Sequence, residues 1–157
     1  MMDTQIFVGL LLTILPVFEL RGGLPVVVEY ALRNGVSVWP YFLIVLILNI
    51  LLIFFVFLFL DFVHDILMKI KWYRVVLERV LRRLRRKVDK LEDKMDRWGY
   101  FALMLFVAVP LPGSGAWSGV ILAWIMGLNR VKSFIAIAGG VVVAGLIILF
   151  FSLGIFG

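Results

Sequence analysis

Apolar residues run almost unbroken through two stretches of the chain, Trp39–Leu60 and Val131–Phe156, the second interrupted only by Lys132 near its start. About 20 consecutive apolar residues cross the hydrocarbon layer as a helix, so each stretch predicts one full span. Two further apolar regions are shorter and end on proline: Thr4–Leu15 meets Pro16, and Trp98–Val109 meets Pro110. Breakers cluster behind each, Gly22, Gly23 and Pro25 in the first and Pro112, Gly113, Gly115 and Gly119 in the second. Another short apolar segment follows, Leu24–Leu32 or Trp117–Leu128. Proline removes a backbone donor and collides with the preceding turn. The pattern therefore predicts half-helix, break, half-helix rather than a continuous helix through either cluster.

The two regions correspond. Moving along the chain by 94 residues takes Thr4 to Trp98 and Pro16 to Pro110, and brings Asn34 within one residue of Asn129. A full span follows each. The expected fold is all-α and membrane-embedded, one domain of two repeats. A hairpin over 4–35 and a span over 36–62 form the first; a hairpin over 98–129 and a span over 130–156 form the second. A basic helix over 64–97 joins them. Paired, interrupted apolar segments in corresponding positions are the sequence mark of a transporter's binding site.

If each hairpin re-enters and returns to its own side, each repeat crosses once and the repeats are inverted. Arg130 and Lys132 then share the side of the basic helix, with Arg33 and both termini opposite. If each hairpin crosses fully, Arg130 and Lys132 lie opposite the basic helix. The excess of Lys and Arg on cytoplasmic loops favours re-entry, with the basic helix cytoplasmic in a multi-pass cell-membrane protein. Ile6–Leu15 is similar to the core of a signal peptide, but no positive charge precedes it and no small-x-small site follows. The segment is expected to be retained.

Within the joining helix, Leu77, Leu81, Leu84, Val88, Leu91, Met95 and Trp98 recur at steps of four and three. Glu78 with Arg82 and Asp93 with Arg97 add i,i+4 pairs. This is an amphipathic helix for a membrane surface or its own bundle; a coiled-coil seam would run over only about three heptads.

Composition narrows the choice. Hydrophobic residues make up 64% of 157, against about 45–50% for soluble domains. A chain this short has too little interior for the excess, which must face lipid. That excludes a soluble enzyme, a disulfide scaffold and a disordered protein. The net charge of +6 is local: residues 69–97 hold 12 of the 16 Lys/Arg but 5 of the 10 Asp/Glu. A juxtamembrane segment accounts for this, and no nucleic-acid module is present. With no cysteine and one histidine, His64, no metal site or cofactor is expected.

Candidate chemistry sits at the two breaks. An ionisable side chain inside an apolar segment is costly unless paired or hydrated, which marks Glu19 and Arg21 as candidates for ion coupling or substrate contact. Gly22, Gly23 and Pro25 beside them would let a ligand or another segment approach closely. The alternative is structural: Glu19 and Arg21 pair with each other or cap half-helix ends. The second break, Pro110, Pro112, Gly113, Ser114, Gly115, Trp117 and Ser118, carries no charge. A half-helix starting at Trp117 would offer its unpaired N–H groups to an anion, or Ser114 or Ser118 would cap it. Glu29 either faces inward as a proton carrier or is solvated at the interface. Asn49, mid-span, suits an interhelical hydrogen bond. Asp61, His64 and Asp65 read as solvated residues at the membrane edge.

Glu19-Leu-Arg-Gly-Gly-Leu-Pro25 and Pro110-Leu-Pro-Gly-Ser-Gly-Ala-Trp-Ser-Gly119, each in an apolar hairpin and separated by a basic helix, resemble the small multidrug export protein family, near the DedA/VTT group of membrane proteins. The resemblance covers nearly the whole chain. It implies two inverted repeats whose re-entrant hairpins meet at mid-membrane, and proton-dependent transport or flipping of lipids as associated with the DedA group. The second hairpin lacks the arginines of the larger DedA pattern, so phosphate recognition there is not implied. The expected function is a membrane transporter, proton-coupled, exporting or flipping a small amphipathic or lipid-like substrate. The alternative is a scaffold binding lipid or a partner protein through its basic helix. An intramembrane hydrolase is disfavoured, because Ser114 and Ser118 have no nearby His or Lys; no enzymatic activity is expected. Irregular backbone cannot face lipid, so a homodimer or higher homo-oligomer embedded among membrane lipids is expected.

Overall fold

The computed structural model describes residues 4–67, 92–111 and 113–157, and every regular element among them is helical. The helices are α1 (Thr4–Ile14), α2 (Glu19–Arg33), α3 (Trp39–Leu67), α4 (Glu92–Ala108), α5 (Ala116–Ile125) and α6 (Arg130–Phe156). The stripe expected over residues 77–91 and the proline at position 112 lie outside the described residues.

Two helices, α3 and α6, are long and apolar enough to cross a bilayer. They bury a third and under half, respectively, of their most apolar windows. The remaining surface is bare hydrocarbon, with Phe54, Phe55, Phe59 and Phe62 on α3 and Phe150 and Phe151 on α6 all exposed. Pro40 sits in the first turn of α3, where its missing N–H costs nothing. The Asn129 side chain caps α6, accepting from the N–H groups of Val131 and Lys132 at 3.0 and 3.1 Å. The span expected over 36–62 continues as helix to Leu67, and α4 begins at Glu92 rather than 98. Helix α4 therefore joins the end of the expected basic helix to the first arm of the second hairpin without interruption.

Helices α1 and α2 form an antiparallel hairpin. Gly9 faces Val27 and Thr13 faces Gly23, close enough that a Cβ on Gly9 would come within 2.7 Å of the Val27 side chain. Helices α4 and α5 form a second, in which Gly119 meets Val107 and the chain returns to Tyr100, whose hydroxyl accepts from the Asn129 N–H at 3.1 Å. Both hairpins end alike. The N–H of Gly35 reaches Leu32 and that of Val36 reaches Ala31; Gly127 and Leu128 reach Trp124 and Ala123 in the same pattern. Each glycine has positive φ, 63° and 65°, as this helix stop requires. These two stops are 92 residues apart, against 94 for the prolines, so the second hairpin is two residues shorter.

The proposed break between Pro16 and Pro25 is narrower in the structure. Residues 15–18 turn, and Gly22, Gly23 and Pro25 lie inside α2. Pro25 leaves the Arg21 carbonyl without its helical donor. The helix continues because burial outweighs that loss: Leu20, Leu24, Val27, Val28 and Ala31, at helical spacing, are all at most 3% exposed. Helix α2 is the centre of the bundle, packed against α1, α3 and α6. Helix α5 ends at Ile125, short of Leu128, because the glycine stop takes the last residues.

The hairpins enter the bundle from opposite ends of α3. The first opens beside the start of α3, where Tyr30 meets Tyr41 edge to face. The second opens beside its far end, where Asp61 accepts from the Trp124 indole at 3.1 Å and pairs with Arg130. Their tips meet between.

Candidate functional site

Four helix ends converge where the tips meet: the C-termini of α1 and α4 and the N-termini of α2 and α5. Each such end carries backbone groups without helical partners, and among apolar packing these need other polar partners. At three of the four, side chains of the opposite hairpin or of α3 supply them; no side chain caps the start of α2.

Glu19, 3% exposed, accepts from the N–H of Ala116 through Oε2 at 2.9 Å and from the N–H of Trp117 through Oε1 at 3.0 Å. It therefore caps α5 from 97 residues away, placing a negative charge on the positive end of the helix dipole. Arg21 does the converse. Its Nη1 donates to Glu19 Oε2 at 3.2 Å, while Nη2 lies 3.2 and 3.1 Å from the carbonyls of Val107 and Val109, at the C-terminus of α4. The Ser114 carbonyl and hydroxyl, at 3.1 and 3.2 Å, complete its shell. The hydroxyl in turn donates to the Val109 carbonyl at 2.7 Å, closing the second tip on itself.

The C-terminus of α1 is satisfied in the same way. The Trp117 indole donates to the Ile14 carbonyl at 3.3 Å and Asn49 Nδ2 to the Thr13 carbonyl at 3.3 Å. Asn49 is thus the interhelical contact its mid-span position suggests. Asn49 lies 10 residues from Trp39 and 12 from Asp61, which is about 15 and 18 Å of helix. That is about halfway along the apolar length of α3.

Glycine makes the junction possible. A Cβ on Gly115 would collide with the Glu19 carboxylate, and one on Gly23 with the Thr13 hydroxyl and, at 2.5 Å, the Gly9 carbonyl. A Cβ on Gly22 would come within 2.7 Å of the Phe18 side chain. Gly113 turns the second tip with φ 85°. Glu19 itself has φ 48°, the only non-glycine residue with positive φ among those described. An L-residue there costs on the order of 1–2 kcal/mol, and it persists because its side chain is held on α5.

The expected anion site at the start of α5 is therefore filled from within, by Glu19. Neither Ser114 nor Ser118 caps that helix; the capping position is Gly115, which has no side chain. Ser118 is half-buried on its first turn and outside the network. Pro110 borders the tip without joining the hydrogen bonds, and Pro25 lies one turn along α2. Glu29 stands apart, about 15 Å up α2 from Glu19, in an i,i+4 pair with Arg33 at 2.6 Å.

Asp61 refines another expectation. It is an edge residue, partly exposed, that is also a bidentate partner of Arg130, linking α3, α5 and α6. The Arg130 guanidinium also sits 6.0 Å from the Phe57 ring. The pair was invisible in the sequence because its members are 69 residues apart. Beside it, Phe54, Phe57 and Phe134 line an apolar groove of about 390 Å³. Among the described residues no cluster of His, Asp and Glu could hold a metal ion.

Neither curated proteins nor solved structures yield a match to the chain. A family does, over residues 19–147, a range that begins at Glu19 and takes in α2, α3, the second tip and most of α6. With its two apolar helices, the chain is a membrane protein and belongs to the family described as "Putative small multi-drug export protein".

Proposed function

We propose that the protein is a proton-coupled membrane transporter that exports or flips a small amphipathic or lipid-like substrate, with no enzymatic step. The observation that carries this reading is the Glu19–Arg21 junction, a buried ion pair at mid-height between two helix ends. Ionisable groups at that depth are costly, and in transport proteins they sit where ions or protons pass. Each charge is held by backbone groups of the other hairpin, so protonating Glu19 weakens its hold on α5 and frees the tips to part. The groove beside Asp61 and Arg130, apolar along its length with an ion pair at one end, suits a molecule with a greasy body and a charged end.

On this reading the hairpins are re-entrant and the repeats inverted, supported by the hairpins opening at opposite ends of α3. The basic segment is cytoplasmic and both termini lie opposite. Kinship with the DedA/VTT group belongs to the same proposal. The outer faces of the hairpins are covered by a second copy, giving a homodimer or higher homo-oligomer among membrane lipids.

A structural reading has one observation in its favour: Glu19 and Arg21 are already engaged, as a clasp in a lipid- or partner-binding scaffold would be. Proteoliposomes separate the two. The wild type should accumulate a fluorescent lipophilic cation under an imposed pH gradient. Glu19→Gln should abolish that flux while eluting as the same assembled species, measured as a dimer or larger by native mass analysis. Normal gradient-driven flux in Glu19→Gln overturns the coupling role. No flux in the wild type overturns the transport reading, and a strictly monomeric folded species overturns the oligomer.

A further inference from the structure

The junction satisfies nearly all of its polar atoms, and the two it leaves over belong to residues that line one small space. Asn49 is 1% exposed and gives Nδ2 to Thr13, while its Oδ1 has no protein partner. Arg21 commits both terminal nitrogens, while its Nε–H is buried and also unpartnered. Both residues line a small pocket of about 10 Å³ that Glu19 also borders, with Val107, Val141 and Ala144 among its apolar walls. A space of about 10–15 Å³ holds one water, provided it offers that water two to four polar partners. Here there are three, one donor and two acceptors. Glu19 Oε2 already accepts from Ala116 and Arg21, whereas Oε1 accepts only from Trp117 and keeps a lone pair.

We propose that a single water molecule is bound in this pocket, accepting from the Nε–H of Arg21 and donating to Oδ1 of Asn49 and Oε1 of Glu19. The same lining rejects a sodium ion. Hard cations require oxygen on all sides, and one wall here is a guanidinium N–H. The water rests on these three side chains alone. Its further role, as the group that passes a proton to Glu19, rests on the transport reading above and identifies the coupling ion as H⁺.

Water-edited solid-state NMR on the ¹⁵N-labelled full chain in lipid bilayers tests this without substrate or gradient. The Arg21 Nε–H signal, identified by its loss in Arg21→Lys, should receive polarisation from water in the wild type. Asn49→Leu, an apolar replacement of similar size, should remove that transfer, as should Ala144→Val, which fills the pocket from α6. Replacing potassium by sodium should leave the signal where it is. The proposal is overturned if the wild type shows no transfer, if transfer persists in a folded Asn49→Leu or Ala144→Val protein, or if sodium shifts the signal. Failure here leaves the flux experiment standing, and loss of flux leaves the water standing.

Discussion

The first hairpin turns at residues 15–18 and presents Glu19 and Arg21; the second turns at residues 109–115 and presents no charge at all. One tip offers side chains, the other backbone. Yet each charge of the first finds its complement in the second, the carboxylate in the amides that open α5 and the guanidinium in the carbonyls that close α4. A helix end carries about half an elementary charge. Two helix ends of opposite sign therefore host an ion pair without contributing a charged residue. Two hairpins of one chain can thus differ completely in residue chemistry at their contact and still be complementary, because the helix breaks themselves supply one partner.

The sharpest way to break that complementarity is Arg21→Met. It leaves Glu19 without its counter-charge and strips the α4 carbonyls of their donor, and removing one member of a buried pair costs about 3–5 kcal/mol. A fall in thermal midpoint on the order of 10 °C is expected in detergent-purified protein. Arg21→Lys should fall between, since an ammonium cannot reach the carboxylate and both carbonyls at once. Midpoints unchanged in both variants would show that the backbone of the second tip does not depend on the charges of the first.

Gly115→Ala attacks the same contact from the uncharged side. Its methyl group occupies the place of the Glu19 carboxylate, at a cost of about 1–3 kcal/mol. The loss should shrink when Gly115→Ala is combined with Glu19→Ala, as residues in direct contact are non-additive. Strict additivity of midpoints would separate the two residues.

Glu29→Gln provides the smallest effect. Its bond to Arg33 is an exposed i,i+4 pair worth about 0.2–0.5 kcal/mol, so the midpoint should stay within a degree or two, and flux should be normal. A large loss of flux would move the coupling site up α2 and away from the tips.

Much of this architecture was readable from hydropathy. The spans at α3 and α6 stand out because lipid demands unbroken apolar length, and Pro16 and Pro110 mark both turns because proline has no N–H to give. The extent of α2 was not readable. Gly22, Gly23 and Pro25 have poor helix propensity, and only the tight packing of Gly23 on Gly9 and Thr13, and of the Leu20–Ala31 face on the bundle, outweighs it. The sequence singled out Glu19 and Arg21, as a pair with each other or as caps, but not which helix ends they would hold. Amides and carbonyls exist at every residue, and nothing local says which of them will be left open 97 residues away. Asp61 and Arg130 were missed as a pair for the same reason of distance.

That distance also matters while the chain is being made. Glu19 leaves the ribosome 97 residues ahead of the Ala116 amide, an interval on the order of ten seconds at about 5–20 residues per second. Until then the first hairpin has an ion pair but no helix ends to hold it, and a half-satisfied pair is unwelcome in hydrocarbon. On the re-entrant reading proposed above, the first hairpin waits at the insertion machinery or at the water interface. Its descent to the midplane is then a late event, triggered by synthesis of the second hairpin, and a chain truncated before residue 116 should leave Glu19 accessible to aqueous reagents.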